Sequence, residues 1–198
     1  MEYDRLEPQL AMYRPHLENL PPTMNPNGVH IQTYRRGDEE AWDSIVAASF
    51  EWEVTPGEFD RTMKSDPEFD PERVFFAAVS GELVGTAAAW RIPECGENTG
   101  RVHMVAVKPG YRGKHIGTAL STAVLHRFRE EGRDDATLRT DDFRIPGIKI
   151  YLNLGFQPYL VDENQRRRWR KVFQVLGMPD LEETFRDLLD GPIHELKI

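Results

Sequence analysis

The stretch Val105-Ala-Val-Lys-Pro-Gly-Tyr-Arg-Gly-Lys-His-Ile-Gly-Thr118 runs from a strand-like pattern, through a basic glycine-containing loop, straight into a helical pattern. A helix starts with N–H groups that have no carbonyl one turn earlier, and its dipole favours negative charge there, so such a junction is an anion site. Arg112 and Lys114 add positive charge. Gly113 and Gly117 remove side chains where backbone must come close to oxygen atoms. The spacing is neither the Gly-x-x-x-x-Gly-Lys-Ser/Thr of a P-loop nor the Gly-x-Gly-x-x-Gly of a dinucleotide fold. The phosphate site therefore spans Arg112, Gly113, Lys114, His115, Ile116, Gly117 and Thr118 but follows another pattern.

Arg112-Gly-Lys-His-Ile-Gly117 resembles the Gln/Arg-x-x-Gly-x-Gly/Ala signature of GNAT acetyltransferases, which wraps the pyrophosphate of acetyl-CoA. His115 stands where the first signature glycine would be. Histidine visits left-handed backbone more often than most residues, and its ring can itself face phosphate. A second stretch, Arg144-Ile-Pro-Gly-Ile-Lys-Ile-Tyr-Leu-Asn-Leu-Gly-Phe156, is similar to the family's Asn-x-x-Ala-x-x-Leu-Tyr-x-x-x-Gly-Phe segment near the CoA thiol. Tyr151 holds the tyrosine position, with Arg144 in place of the asparagine and Gly147 in place of the alanine. The likeness runs from about Val29 to Leu176, and the flanking Thr140-Asp-Asp-Phe-Arg144 looks like a bacterial subgroup of undefined substrate.

The resemblance implies an N-acetyltransferase that moves an acetyl group from acetyl-CoA to a primary amine of a small molecule or peptide, by direct attack on the thioester. Backbone N–H groups of Met104, Val105 and Val107 would bind pantetheine and the thioester carbonyl, and Tyr151 would give a proton to the departing thiolate. The base stays open among His103, Glu51, Glu53, Asp141, Asp142 and a chain of water. His103 has the most suitable reference pKa, about 6.5, but alternation places it on one face with Val105, as a core histidine would lie. The alternative reading is a CoA-binding sensor or interaction module without catalysis.

The elements that must position these residues follow from periodicity. Val29–Tyr34 alternates as a strand, Gly37-Asp38 caps a helix carrying Trp42, Ile45, Val46, Ser49 and Phe50 at helical spacing, and a second helix is expected near Gly57–Lys64. Val74–Val79 and Leu83–Ile92 flank the hairpin turn Ser80-Gly81-Glu82. Val102–Val107 is a third run, followed by a helix through Phe128 that Gly132 closes. Then come a strand at Ala136–Thr140, a helix at Ile145–Leu154, and strands at Phe156–Val161 and Arg168–Leu176. Asp180 and Glu183 are the expected capping pair of a last helix. The class is α/β (α+β), a GNAT-type mixed, mostly antiparallel central sheet with helices on both faces. The division is a Pro-rich arm at 1–28 lying on the surface or on a partner, an acyltransferase domain at 29–176, and a C-terminal helix and tail at 177–198.

Composition narrows the partners. Among 198 residues, 25 Lys and Arg against 33 Asp and Glu give a formal charge of −8, which argues against nucleic acid and anionic membranes. The cluster Arg166-Arg-Arg-Trp-Arg-Lys171 is then a solvated turn or a wall for an anionic substrate. Cys95 is the only cysteine, so no four-ligand thiolate metal site can be built, and the six histidines lack ligand spacing. No signal peptide or membrane span is apparent, and a cytoplasmic enzyme is expected. The aromatic stripe Trp42, Phe50, Trp52, Phe59 and Phe69 has core spacing, with an acceptor pocket as the rival reading. Apolar residues in the arm and the last helix predict a homodimer.

Overall fold

The computed structural model describes residues 8–51, 53, 55–93 and 96–195, so Trp52 and Cys95 lie outside it. The described residues form two compact units, 15–136 and 8–14 with 137–195.

In the first unit, strands β2 (Val29–Thr33), β3 (Val74–Val79), β4 (Glu82–Arg91) and β5 (Thr99–Val107) pair antiparallel in that order. The β3–β4 turn places Ser80 and Gly81 at positive φ, 50° and 86°, the backbone that a tight right-twisted hairpin requires. Helix α1 (Glu39–Phe50) buries Trp42, Ile45 and Val46 on one sheet face, with Val74, Phe76, Ala88, Trp90 and Ala106. Phe59 is wholly buried there, and Phe50 and Phe69 pack against the same cluster, so the described aromatics of the stripe are core. Helix α2 (Ile116–Glu130) covers the opposite face. Gly85 admits its first turn, because a Cβ there would sit 3.1–3.2 Å from Leu120, Ile116 and the Ala106 carbonyl.

Asp38 is the N-cap residue of α1, as expected, but its side chain makes no cap bond to the helix. Its carboxylate accepts the Arg35 N–H at 2.8 Å, while Glu39 accepts the Gly37 N–H at 2.7 Å and the Tyr34 hydroxyl. Burial and this bond push the Tyr34 phenol up to about 12, and the same bond takes Glu39 down to about 2. The expected helix near Gly57–Lys64 forms with a π-helical turn at Asp60–Lys64. Asp43 of α1 holds its start, accepting the Gly57 and Phe59 N–H groups at 2.9 and 2.8 Å.

In the second unit, β6 (Asp135–Thr140), β1 (Leu10–Arg14) and β7 (Gln157–Tyr159) lie side by side in that order. The surface arm expected at 1–28 is thus corrected for residues 10–14. Leu10, Ala11 and Met12 are fully buried, and β1 pairs antiparallel with β7, Ala11 opposite Tyr159. Five residues between prolines, buried on consecutive positions, show no alternation by which a strand is recognised.

The strand expected at Arg168–Leu176 is also corrected: α4 (Asn164–Val175) is a helix that buries Gln165, Arg168, Trp169, Val172 and Phe173 at spacings of three and four. Two polar residues on the buried stripe hid its period. Arg168 is satisfied there by both oxygens of Asp142, the Pro8 carbonyl at 2.7 Å and Asn164 at 3.1 Å, and Arg170 pairs with Glu182 and Asp190. These arginines brace the fold and do not form a substrate wall. The last helix is two short ones, α5 (Asp180–Thr184) and α6 (Arg186–Leu189). Pro179 precedes the first, and Asp180 makes no side-chain cap. Among the described residues no helix is long and apolar enough to cross a membrane.

A Cβ on Gly100 of β5 would fall 2.5–2.6 Å from three ring atoms of the fully buried Phe128. Gly100→Ala is expected to cost about 1–3 kcal/mol through overpacking, read as a lowered urea midpoint. An unchanged midpoint would show that α2 is not seated on β5 in this way.

Candidate functional site

The site grows from an irregularity in β5. Thr86 pairs with Ala106 but Ala88 pairs with His103, so two residues, Met104 and Val105, oppose one on β4. Met104 has φ 49°, which identifies a β-bulge. One extra residue shifts the alternation, so His103 and Ala106 both face the α1 side. The shared face expected for His103 and Val105 is therefore broken, and the Met104–Val105 backbone is released from regular pairing with β4.

Beyond β5 the chain makes a 3-10 turn at Pro109–Tyr111 and reaches α2 through an exposed loop, Arg112–His115. Gly113 has φ 78° with open space around its missing Cβ, and His115 adopts the left-handed conformation, φ 59° and ψ 13°, at the helix start. The first intrahelical bond is from the Ala119 N–H to the His115 carbonyl at 3.0 Å. The N–H groups of Ile116, Gly117 and Thr118 open the helix and remain available to an anion. Lys114 lies 5.0 Å from the Tyr111 ring centroid, and Tyr111 and Lys108 both bind Glu82, holding that carboxyl below its usual range.

Ser49, near the end of α1, stands in the sequence only as part of that helix's periodic stripe. Its hydroxyl accepts the Val107 N–H at 3.3 Å and its carbonyl accepts Arg112 at 3.1 Å. Two groups expected to serve CoA are thus held by one residue. A lone serine between Ala48 and Phe50 carries no motif that would have flagged it for a site.

His103 borders a cavity of about 480 Å³ lined by Asp66, Glu68, Trp90, Arg91 and Arg101 as well. Its ring lies 5.7 Å from that of Trp90. Burial, with Arg101 adding to it and Asp66 opposing, takes its pKa down to about 4. The imidazole is neutral at physiological pH, able to accept one hydrogen bond and donate another. Glu51 is the left-handed C-cap of α1, and both it and Glu53 are exposed.

The remaining candidates belong to the second unit. Tyr151 sits on α3 (Ile145–Asn153), 9% exposed, with Phe156 against its ring at 6.1 Å. Burial pushes its phenol up to about 12, against a smaller pull from Arg144. An alanine at Gly147 would meet the Tyr151 ring at 3.7 Å, an ordinary contact. Arg144, at the start of α3, binds Asp141 at 2.8 Å and lies 5.0 Å from the Phe143 ring centroid. Asp142 is held below the usual carboxylate range by Arg168, and Asp141 also accepts the Gln9 amide at 3.0 Å. Asp142, engaged in this way, is a poor proton acceptor.

A family model described as the acetyltransferase (GNAT) family matches residues 39–156, a span that holds both motifs. A mycothiol acetyltransferase of Thermobispora bispora is 33% identical over 164 residues, 79% of this chain and 56% of the relative. The chain spans about half the length of the curated relatives it matches. Among solved structures, a GCN5-related N-acetyltransferase from Sphaerobacter thermophilus superposes with a TM-score of 0.60 at 22% identity, over 77% of this chain and 49% of that one. A GNAT family acetyltransferase from Brucella melitensis in complex with acetyl-CoA gives 0.50 at 21%, over 57% and 76%. At these identities the structures speak for the fold.

His103 also leaves a mark on stability. Its folded pKa lies below the unfolded value of about 6.5, so the unfolded chain takes the proton first. The stabilisation is present above that value and is lost as pH falls toward about 4. Chemical denaturation across this window should show a loss of up to about 3 kcal/mol that His103→Gln removes; parallel pH curves for the two proteins would place the histidine in solvent.

Proposed function

The chain belongs to the acetyltransferase (GNAT) family, and we propose that it moves the acetyl group of acetyl-CoA onto a primary amine of a small molecule. The observation that carries this reading is the β5–α2 connection. A bulge at Met104, an exposed basic loop and a left-handed His115 follow one another within fifteen residues, ending on the open N–H groups of a fifteen-residue helix. A pyrophosphate fits there: the loop offers Arg112, Lys114 and backbone donors, with no side chain over Gly113. A solved relative holding acetyl-CoA supports the donor, and a relative named for mycothiol supports a small acceptor over a protein lysine.

Acetyl-CoA supplies an activated carbonyl: the amine nitrogen bonds to it, the carbon–sulfur bond breaks, the nitrogen loses a proton and the sulfur leaves as thiolate. In this reading the Met104 and Val105 N–H groups receive the developing oxyanion and the pantetheine. Val107 joins them once its N–H leaves Ser49. The acceptor enters the cavity beside His103. A base of pKa about 4 cannot strip an ammonium near 10.4, so His103 orients an amine that loses its proton to water. Tyr151, with a phenol near 12, is a weaker acid than a thiol near 8.5. It therefore donates a hydrogen bond to the departing sulfur and keeps its proton. Cytoplasmic placement and a homodimer belong to the same proposal. Met24, Val175 and Ile193 are exposed apolar residues for the dimer, and light scattering of a monomer would remove it.

Calorimetry with acetyl-CoA is expected to show binding that Gly117→Glu abolishes, since bulk and negative charge then occupy the phosphate position. Against an amine panel, Tyr151→Phe should lower kcat about a hundredfold with acetyl-CoA affinity unchanged. The rate should rise with pH along the acceptor's own pKa, with no inflection near 6.5 from His103. Tight binding without turnover on any amine would instead favour a CoA sensor, and no binding at all would sink the reading.

A further inference from the structure

Helix α3 ends in a turn whose backbone bonds begin at Tyr151. The Phe156 N–H donates to the Tyr151 carbonyl at 3.0 Å and the Gly155 N–H to the Leu152 carbonyl at 3.0 Å, with Gly155 at φ 83°. This is the Schellman arrangement, and its usual apolar contact is here the Tyr151 ring against Phe156. The turn leaves the Leu154 carbonyl pointing outward from the helix end, and the Arg14 guanidinium of β1 donates to it. Arg14 is 6% exposed, a cation set at the negative end of a helix. It also lies so close over Gly155 that any Cβ there would collide with its terminal nitrogen.

We propose that Arg14 is a positioning residue for Tyr151: through the Leu154 carbonyl it locks the left-handed turn that fixes where α3 ends and how the tyrosine ring is held. The inference rests on the role given to Tyr151 above, but the hold itself stands apart from catalysis. It explains why residue 155 has no room for a side chain beyond its backbone angle. It also makes the strand formed by residues 10–14 part of the functional apparatus. The strand is well anchored for that task. Arg168 of α4 donates to the Pro8 carbonyl, and Gln165 donates to the Gln9 carbonyl at 2.8 Å. The Gln9 amide in turn reaches Asp141. Tyr13, next to Arg14, packs on Tyr159 of β7 at 5.6 Å. Burial pulls the Arg14 guanidinium below its ordinary value without discharging it, so its charge persists at any working pH.

The test uses the full chain labelled with fluorotyrosine, in which the Tyr151 fluorine resonance is the one missing from Tyr151→Phe. Arg14→Met is expected to shift and broaden that resonance at neutral pH, and Arg14→Lys to restore it in part. Gly155→Ala, which keeps the arginine but forces it aside, should reproduce the Arg14→Met spectrum and covers the case in which Arg14→Met does not fold. With an active acceptor in hand, Arg14→Met should lower kcat about ten- to a hundredfold while the KM for acetyl-CoA holds, with no further loss on a Tyr151→Phe background. An unmoved resonance, or an equal loss of kcat with and without the Tyr151 hydroxyl, would overturn the proposal and leave Arg14 a brace of the fold alone. If the chain proves inactive on every amine, the reading of its function fails while the fluorine spectra still decide the role of Arg14.

Discussion

One extra residue in β5 governs much of what the first unit can do. Without the bulge at Met104, Ala106 would face α2 and the α1 core would lose a member. His103 would share a face with Val105, away from Ala106. With it, the strand keeps its hydrophobic pairing on both sides of the irregularity while Met104 and Val105 leave the regular register with β4. The cost is a non-glycine residue at φ 49°, which packing of Met104 on the core offsets. The same strand then delivers the chain to the basic loop, so the bulge and that loop are separated by a single short segment.

The loop repeats this logic at His115. A left-handed residue at the start of α2 lets the chain turn into the helix with its first N–H groups facing outward. Glycine would reach that backbone without strain; histidine reaches it at modest cost and adds a ring that can donate to phosphate. Ser49 meanwhile accepts from both Val107 and Arg112, so these two donors are kept ordered. Ordered donors lose less freedom on binding, which favours affinity.

Buried cations play the corresponding role in the second unit. Arg14 and Arg168 are both under a tenth exposed, and each is matched to oxygen atoms: a helix-end carbonyl for one, a carboxylate and the Pro8 carbonyl for the other. Removing Arg14 would leave the carbonyl of the buried Leu154 unpaired, a larger penalty than the bond itself contributes. The two segments in this unit whose type the sequence concealed, β1 and α4, are the ones these arginines hold.

What the sequence determined by itself is local chemistry with a strong period or a fixed spacing. The Arg112–Gly117 loop, the tyrosine four residues before Gly155, the strands from Val29 to Val107 and the helix from Ile116 all announced themselves, because alternation, helical spacing and glycine placement are written in neighbouring residues. The tertiary structure alone decided the rest. Whether Leu10–Arg14 is an arm or a strand depends on partners more than a hundred residues away. Helix α4 hides because Gln165 and Arg168 become core residues only when distant oxygens satisfy them. The bulge at Met104 is set by register against β4, and the depressed pKa of His103 by what closes over it; neither burial nor register can be read from a residue's own neighbours in the chain.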